Sequence, residues 1–255
     1  AQRESVEPLE HISPSYSHSP PPSRAPVPPP TTAASAQSYL SDLLHLPPSR
    51  AFSPDLALQI LTHKSYRYAH LIRHNHPRSR DRYEREPRRD FGVQAAQGEE
   101  TEGPSSVSHN ARLSFLGRRA LNTYLALFLH SHLRTDRGLR EVDFLRGKGL
   151  DEKMKAMTHV NNLGRDVGGQ WGVGDVMRWD RNEAGIPNAG LKIRGLTVES
   201  ILGGVFSEFG SAAAHRAFHL HLLPHLSEQL RDPVLLERAE VMRAQVEREA
   251  GGGVV

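Results

Sequence analysis

Histidine is the residue type with the widest chemical range in this sequence, which contains 15 histidines and no cysteine. His215 and His219 have the i, i+4 spacing of some zinc ligands, but no Glu or third ligand completes such a motif. His63, between Thr62 and Lys64, has the chemistry of a general base, although a turn residue is the simpler interpretation. We predict no metal site and no cofactor, and the lack of cysteine excludes disulfides and thiolate zinc sites.

A second set of positions has helical spacing but few acids. Ala111, Ser114 and Arg118 lie at i, i+3 and i+7, on one face of a predicted helix, and Glu199 follows Leu196 by three residues on another. One carboxylate cannot hold a pair of hard cations, which need several oxygen ligands. The pattern therefore lacks the clustered carboxylates that metal-dependent hydrolysis requires.

The elements that must position these residues are helices, because apolar residues recur with helical period and no convincing alternating strand appears. Ser53 is a plausible N-cap for a helix that begins at Pro54. Met154 and Met157, in the helix predicted over 150–163, are assigned to the core. The helix over 112–130 is apolar on more than one face, which predicts burial on two sides. We predict an all-α fold with helices at 37–46, 54–63, 112–130, 138–146, 150–163 (ended by Gly164), 191–208, 212–226 and 233–249.

Composition separates this helical region from extensions. Residues 1–36 hold nine of the 18 prolines, which predicts a disordered or extended N-terminal tail. Residues 67–108 read as a long insertion, and residues 229–255 as a C-terminal helix with a Gly-rich tail. The predicted domain is therefore 37–228.

Charge and hydropathy exclude some classes. The net charge of +3 is too small to argue for nucleic acid by itself, but residues 64–90 carry nine Lys or Arg against four Asp or Glu. No stretch approaches the roughly 20 apolar residues that a membrane span needs. The sequence begins at Ala1 without Met, which fits a cleaved presequence, although a sequence taken from within a longer one would look the same.

Three ordered segments are similar to one known family. They are Leu-Thr-His-Lys-Ser-Tyr at 61–66, Asn-Ala-Arg-Leu-Ser-Phe-Leu-Gly-Arg at 110–118 and Leu-Thr-Val-Glu-Ser-Ile-Leu-Gly-Gly at 196–204. In order and spacing they resemble the endonuclease domain of the ribonuclease III family, whose second and third motifs read Asn-Glu-Arg-Leu-Glu-Phe-Leu-Gly-Asp and Asp-x-x-Glu-Ala-x-x-Gly-Ala. The resemblance covers 37–228, interrupted by the insertion, and implies a helical endonuclease-like fold.

The resemblance also implies that catalysis is lost. Ala111, Ser114, Arg118 and Leu196 stand where the family carries Glu, Glu, Asp and Asp, and Glu199 alone retains the family residue. Those acids hold divalent metals that activate water for phosphodiester hydrolysis. We therefore expect no enzyme activity and an ion pair between Arg118 and Glu199, with contact of Arg118 to an RNA phosphate as the alternative.

Non-catalytic members of this family occur in the mitochondrial large ribosomal subunit, where in the fungal type two such proteins pair with each other. Only 29 residues follow Leu226, too few for the double-stranded RNA-binding domain of one of them, so this chain is similar to the other. We expect a mitochondrial ribosomal protein that binds rRNA and large-subunit proteins and forms a heterodimer with a related chain. The alternatives are an accessory subunit of another RNA-processing complex and a divergent metal-dependent nuclease that cleaves double-stranded RNA.

Two sets of residues are assigned to these contacts. Phe115 and Leu116 are the expected partner interface, since the equivalent family helix packs across a dimer. The basic segment, with interleaved tyrosines for base stacking, is the expected RNA contact, and a solvated loop is the other interpretation. Its basic residues are Lys64, Arg67, Arg73, Arg78, Arg80, Arg82, Arg85, Arg88 and Arg89.

Overall fold

The computed structural model describes residues 31–66, 108–135, 149–251 and 253–255. Within these ranges there is no strand, and Thr62 and Arg178 form one isolated parallel bridge. The all-α prediction is confirmed. The helices are α1 (Ala33–Leu44), α2 (Pro54–Leu61), α3 (Ala111–Thr135), α4 (Leu150–Met157), α5 (Val160–Asn162), α6 (Val173–Val176), α7 (Ala189–Ala217), α8 (Leu223–Leu230) and α9 (Pro233–Ala250).

The first two helices begin at polar caps. Ser53 accepts a hydrogen bond from the backbone N–H of Leu56, and Pro54 opens α2, so the predicted N-cap is confirmed. Helix α1 starts at Ala33, four residues before the predicted start, because Thr32 and Ser35 form a capping box. The chain therefore becomes helical inside the segment that its prolines assigned to the tail.

The predicted helix over 150–163 is wrong in two respects. A break at residues 158–159 separates α4 from α5, and α5 continues without interruption into a π-helical turn, Leu163–Val167. Gly164 does not end the helix. A Cβ atom there would lie 1.9 Å from the carbonyl oxygen of Leu191, so this glycine permits close contact with α7.

Helix α7 covers the gap between the helices predicted over 191–208 and 212–226, and its one non-helical residue, Gly210, lies in that gap, so the predicted break is confirmed. Its chain bends at Gly210, which has φ +84° and ψ 179°, and continues to Ala217. A second π-helical turn, Phe218–Leu222, joins it to α8. Helix α9 follows the predicted range closely and is capped by the side chain of Asp232, which accepts hydrogen bonds from two backbone N–H groups.

The core lies between α3 and α7 and extends to both ends of the described chain. Leu40 of α1, Leu121 of α3 and Ile201 of α7 are fully or almost fully buried in it, and Met157 is buried as predicted. Leu235 of α9 and Val254 belong to the same cluster, so the C-terminal helix is part of this core.

Several predicted features fall outside the described residues: the tail up to residue 30, nearly all of the insertion, and the helix at 138–146. Among the helices that are described, none is long and apolar enough to span a bilayer.

Candidate functional site

The site is built where α3 crosses α7 at two glycines. A Cβ atom on Gly117 would lie 1.7 Å from the carbonyl oxygen of Glu199, and one on Gly203 would lie 2.0 Å from the carbonyl oxygen of Leu113. Only hydrogen at both positions allows the two backbones to approach this closely. Because Gly117 contacts the backbone of Glu199, the next residue of α3, Arg118, lies beside the Glu199 side chain.

Arg118 and Glu199 form a bidentate ion pair. Nε of Arg118 donates to Oε1 of Glu199 at 2.9 Å, and Nη2 donates to Oε2 at 3.0 Å. The hydroxyl of Ser114 donates to the same Oε2 at 2.8 Å. The expected ion pair is thus present, with a third hydrogen bond that the sequence reasoning missed.

The two charges have unequal access to water. The side chain of Glu199 is fully buried, whereas that of Arg118 is 46% exposed. The hydrogen bond to Glu199, followed by the attraction of its charge, raises the pKa of Arg118 against the opposing effect of burial. Arg118 is therefore a fixed positive charge whose head reaches solvent and whose donors satisfy a carboxylate that water cannot reach.

A second polar network joins the three sequence motifs. The side-chain amide of Asn110 donates to the carbonyl oxygen of Ile60 at 3.1 Å and to the hydroxyl of Ser200 at 3.4 Å. Its backbone N–H donates to the carbonyl oxygen of Thr62 at 2.9 Å. Asn110 is buried, so these bonds replace the water that it loses. Its preference for helix starts was the signal that could have identified it.

A family model described as Ribonuclease-III-like matches residues 97–226. The chain belongs to the ribonuclease-III-like family. No curated protein matches its sequence. Among solved structures, the nuclease domain of ribonuclease III from Campylobacter jejuni is similar, with 18% identity and a TM-score of 0.46, over 76% of this chain and 96% of that one.

The remaining family-motif positions of this ribonuclease-III-like chain offer no ligand atoms to a metal. Ala111 is exposed and Leu196 is half-buried, and neither carries a polar side-chain atom. Within the described ranges, no three His, Asp or Glu side chains are placed to hold a metal ion. The oxygens of Glu199 are already bound by Arg118 and Ser114.

The two interface candidates lie on the free side of α3. Phe115 is 59% exposed, its ring stacked against the guanidinium of Arg119 at 5.3 Å, and Leu116 is half-buried. Leu127, also on α3, is 57% exposed. The described residues therefore do not bury α3 on two sides, because they leave Phe115 and Leu127 exposed. Pairing through Phe115 and Leu116 stays a prediction.

The basic segment is described only at its start. Lys64 is exposed, and the other eight RNA-binding candidates lie outside the described residues. Tyr66, one of the expected stacking groups, has the guanidinium of Arg178 over its ring at 4.2 Å. One face of that ring is therefore already covered by a protein side chain.

His63 is a buried turn residue. Its Nδ1 lies 2.8 Å from the hydroxyl of Ser65, and its backbone N–H donates to the carbonyl oxygen of Arg178. Burial, together with the positive charges of Lys64, His109 and Lys192, lowers its pKa to about 4. The side chain is therefore neutral at physiological pH and anchors the turn after α2, as the simpler sequence interpretation expected.

Proposed function

We propose that this chain is a non-catalytic member of the ribonuclease-III-like family that associates with RNA. The observation that carries the proposal is the bidentate ion pair of Arg118 with the buried Glu199. A guanidinium already neutralises the one carboxylate retained from the family motif, and its positive charge repels a divalent cation. Two metals would have to displace Arg118 and then find ligands elsewhere.

The side chains at the motif positions do not fit the metals that the family pattern implies. Alanine and leucine at 111 and 196 have no oxygen to offer, and arginine at 118 has the wrong charge. Ser114 carries a hydroxyl, but it donates its proton to Glu199. Hard cations such as Mg²⁺ favour carboxylates held on rigid elements. No step of phosphodiester hydrolysis is therefore derived through a metal at this site.

For the cellular role, we propose a structural component of the mitochondrial large ribosomal subunit. This rests on the similarity of the three motifs to the ribonuclease III endonuclease domain, whose non-catalytic members occur in that subunit. It also rests on the absence of the family's acids at positions 111, 114, 118 and 196. In that setting the helical core contacts rRNA and neighbouring proteins, and the basic segment beginning at Lys64 contacts phosphates. A heterodimer with a related chain would cover the exposed apolar face of α3 around Phe115 and Leu116.

The catalytic part is tested with purified full-length chain, double-stranded RNA and Mg²⁺ or Mn²⁺. We expect no specific cleavage above that of an Arg118→Leu and Glu199→Leu double variant prepared in the same way. Cleavage by the unmodified chain that disappears in Glu199→Gln would overturn the proposal, because it would show that Glu199 serves a metal-dependent reaction.

The ribosomal part needs a separate experiment. A tagged chain expressed in mitochondria is expected to sediment with large ribosomal subunits and to stay bound at high salt. Recovery in another RNA-processing complex, with none in the large subunit, would favour the accessory-subunit alternative.

The partner interface is tested by substitution. Phe115→Asp places a charge on the exposed apolar face and is expected to abolish pairing with the related chain, while far-UV circular dichroism is unchanged because Phe115 is not part of the core. Unaltered association in pull-down would place the interface elsewhere. Thr123→Asp, at another exposed position of α3, controls for the added charge.

A further inference from the structure

Three histidines form a cluster away from the family motifs, on the side of the fold where α7 bends toward α8. The Nε2 atoms of His215 and His219 lie 3.2 Å apart, so one imidazole donates a hydrogen bond to the other. The rings of His132 and His219 both pack against Phe128, with centroid distances of 4.9 and 6.2 Å. The cluster therefore links α3 to the region where α7 meets the second π-helical turn.

The environment of the cluster is apolar and, where charged, basic. His219 is buried, and its Nδ1 has no hydrogen-bond partner. Tyr124 of α3 packs edge-on against His215 and donates its hydroxyl proton to the carbonyl oxygen of Ser211. The group acting on His132 from α9 is Arg238, another cation. A proton added to this cluster thus enters a site with no carboxylate acting on it among the described residues.

The segment that carries two of these histidines is bounded by weak points in the helix. Gly210 breaks the helical backbone on one side, and the π-helical turn Phe218–Leu222 departs from the α-helical hydrogen-bond pattern on the other. Residues 211–222 are therefore bounded on both sides by departures from α-helical hydrogen bonding, whereas the N-terminal half of α7 is fixed by the glycine crossing and the ion pair. Local opening of this segment has to expose core side chains such as Phe218, which is fully buried.

We propose that His132, His215 and His219 form a proton-sensitive clamp that holds residues 211–222 against α3 at neutral pH and releases them on mild acidification. Neutral imidazoles share a hydrogen bond and pack against Phe128, whereas an imidazolium is poorly solvated there and repelled by its neighbours. Released histidines reach water and accept protons freely. Proton uptake therefore favours the open state.

The size of the effect follows from proton linkage. Burial, then the charges of His215 and His132, lower the pKa of His219 from 6.5 to about 4, and burial also lowers the pKa values of His215 and His132. For His219 alone, the opening equilibrium is expected to shift about tenfold between pH 7.5 and pH 5.5. The direction is fixed, because a group with a lowered folded-state pKa loses its stabilising contribution as pH falls.

Hydrogen exchange measured by mass spectrometry tests the clamp, after correction for the intrinsic pH dependence of exchange. His221 on the same turn is also buried, with its pKa lowered to about 4, so the reference protein carries His221→Leu. In this full-length reference, residues 211–222 are expected to lose about tenfold protection at pH 5.5. Adding His219→Leu, which keeps an apolar side chain of similar reach, should strongly reduce that loss, with His215 and His132 accounting for the remainder.

An equal loss of protection with and without His219→Leu would overturn the proposal, as would a loss spread uniformly over α1, α2 and α3. A measurement on the unmodified chain guards against variants that fail to fold. Nuclear magnetic resonance titration of the histidine ring protons should show His219 unprotonated in the folded chain at pH 5.5. Titration of folded His219 near its ordinary pKa of 6.5 would refute the clamp.

Discussion

Removing Arg118 should destabilise the fold more than removing Glu199. Arg118→Leu leaves a fully buried carboxylate with Ser114 as its remaining side-chain donor, whereas Glu199→Leu leaves a guanidinium that is 46% exposed and can be solvated by water. Loss of one partner of a buried pair costs about 3–5 kcal/mol. Because solvent screens the Arg118 end, we expect about 2 kcal/mol for Arg118→Leu and about 1 kcal/mol for Glu199→Leu.

The double variant separates the interaction from the loss of two side chains. With both charges gone, no buried ion is left unpaired, so the double variant should be more stable than the sum of the single changes predicts, by about 1–2 kcal/mol. Urea unfolding followed by far-UV circular dichroism gives each free energy of unfolding. Arg119→Leu is the matched control, since Arg119 is exposed on the same helix and its guanidinium stacks on Phe115.

Strict additivity of the two single changes would refute this reasoning, because it would mean that the two hydrogen bonds contribute nothing to stability. The reverse order, with Glu199→Leu costing more than Arg118→Leu, would refute the argument from unequal exposure. Either conclusion requires that the Arg119→Leu control has the same free energy of unfolding as the unmodified chain.

Other parts of the fold give three more predictions. Gly117→Ala should unfold the chain or cost several kcal/mol, since its Cβ would lie 1.7 Å from the carbonyl oxygen of Glu199, whereas Gly149→Ala has open space and should be nearly neutral in thermal melts. The lowered pKa of His63 means that its stabilising contribution is complete at neutral pH and lost as pH falls from 6.5 toward 4, by about 2 kcal/mol at pH 5. Urea unfolding of His63→Leu should therefore show a weaker acid dependence. Asp232→Ala removes both hydrogen bonds at the start of α9 and should cost about 1 kcal/mol in the same assay.

Local signals in the sequence predicted the helices well where a cap or a proline marks their ends. Ser53 with Pro54 and Asp232 with Pro233 are such starts, and α2 and α9 begin there. The π-helical turns had no such signal, because a π-turn keeps helical composition and changes only the hydrogen-bond pattern. The bend at Gly210, by contrast, lies in the gap between the helices predicted over 191–208 and 212–226. Gly164 was misread as a stop for a related reason: from sequence alone, a glycine that permits helix contact is indistinguishable from one that ends a helix.

The site was predictable to the extent that the motifs fix which helix faces meet. They indicated that residues 118 and 199 share one crossing, which favoured an ion pair over contact of Arg118 with an RNA phosphate, and the ion pair is present. They did not indicate the hydrogen bond from Ser114, nor that Asn110 links the carbonyl oxygen of Ile60 to Ser200, since both depend on side-chain rotamers at the crossing. These hydrogen bonds depend on how closely α3 and α7 approach each other, which is known only from the folded structure.

The energetics of the crossing give a reason for a carboxylate at Glu199 that does not involve a metal. Its side chain is fully buried at the crossing. Loss of Arg118 therefore leaves a buried carboxylate without its counter-ion, and loss of Glu199 leaves the Ser114 hydroxyl without its hydrogen-bond acceptor. Each single loss is unfavourable, while the joint replacement of both charged partners by apolar side chains costs less than the sum of the two single losses. Retention of Glu199 is therefore explained by its coupling to Arg118 and Ser114, and a family acid in this position is not by itself a sign of metal-dependent chemistry.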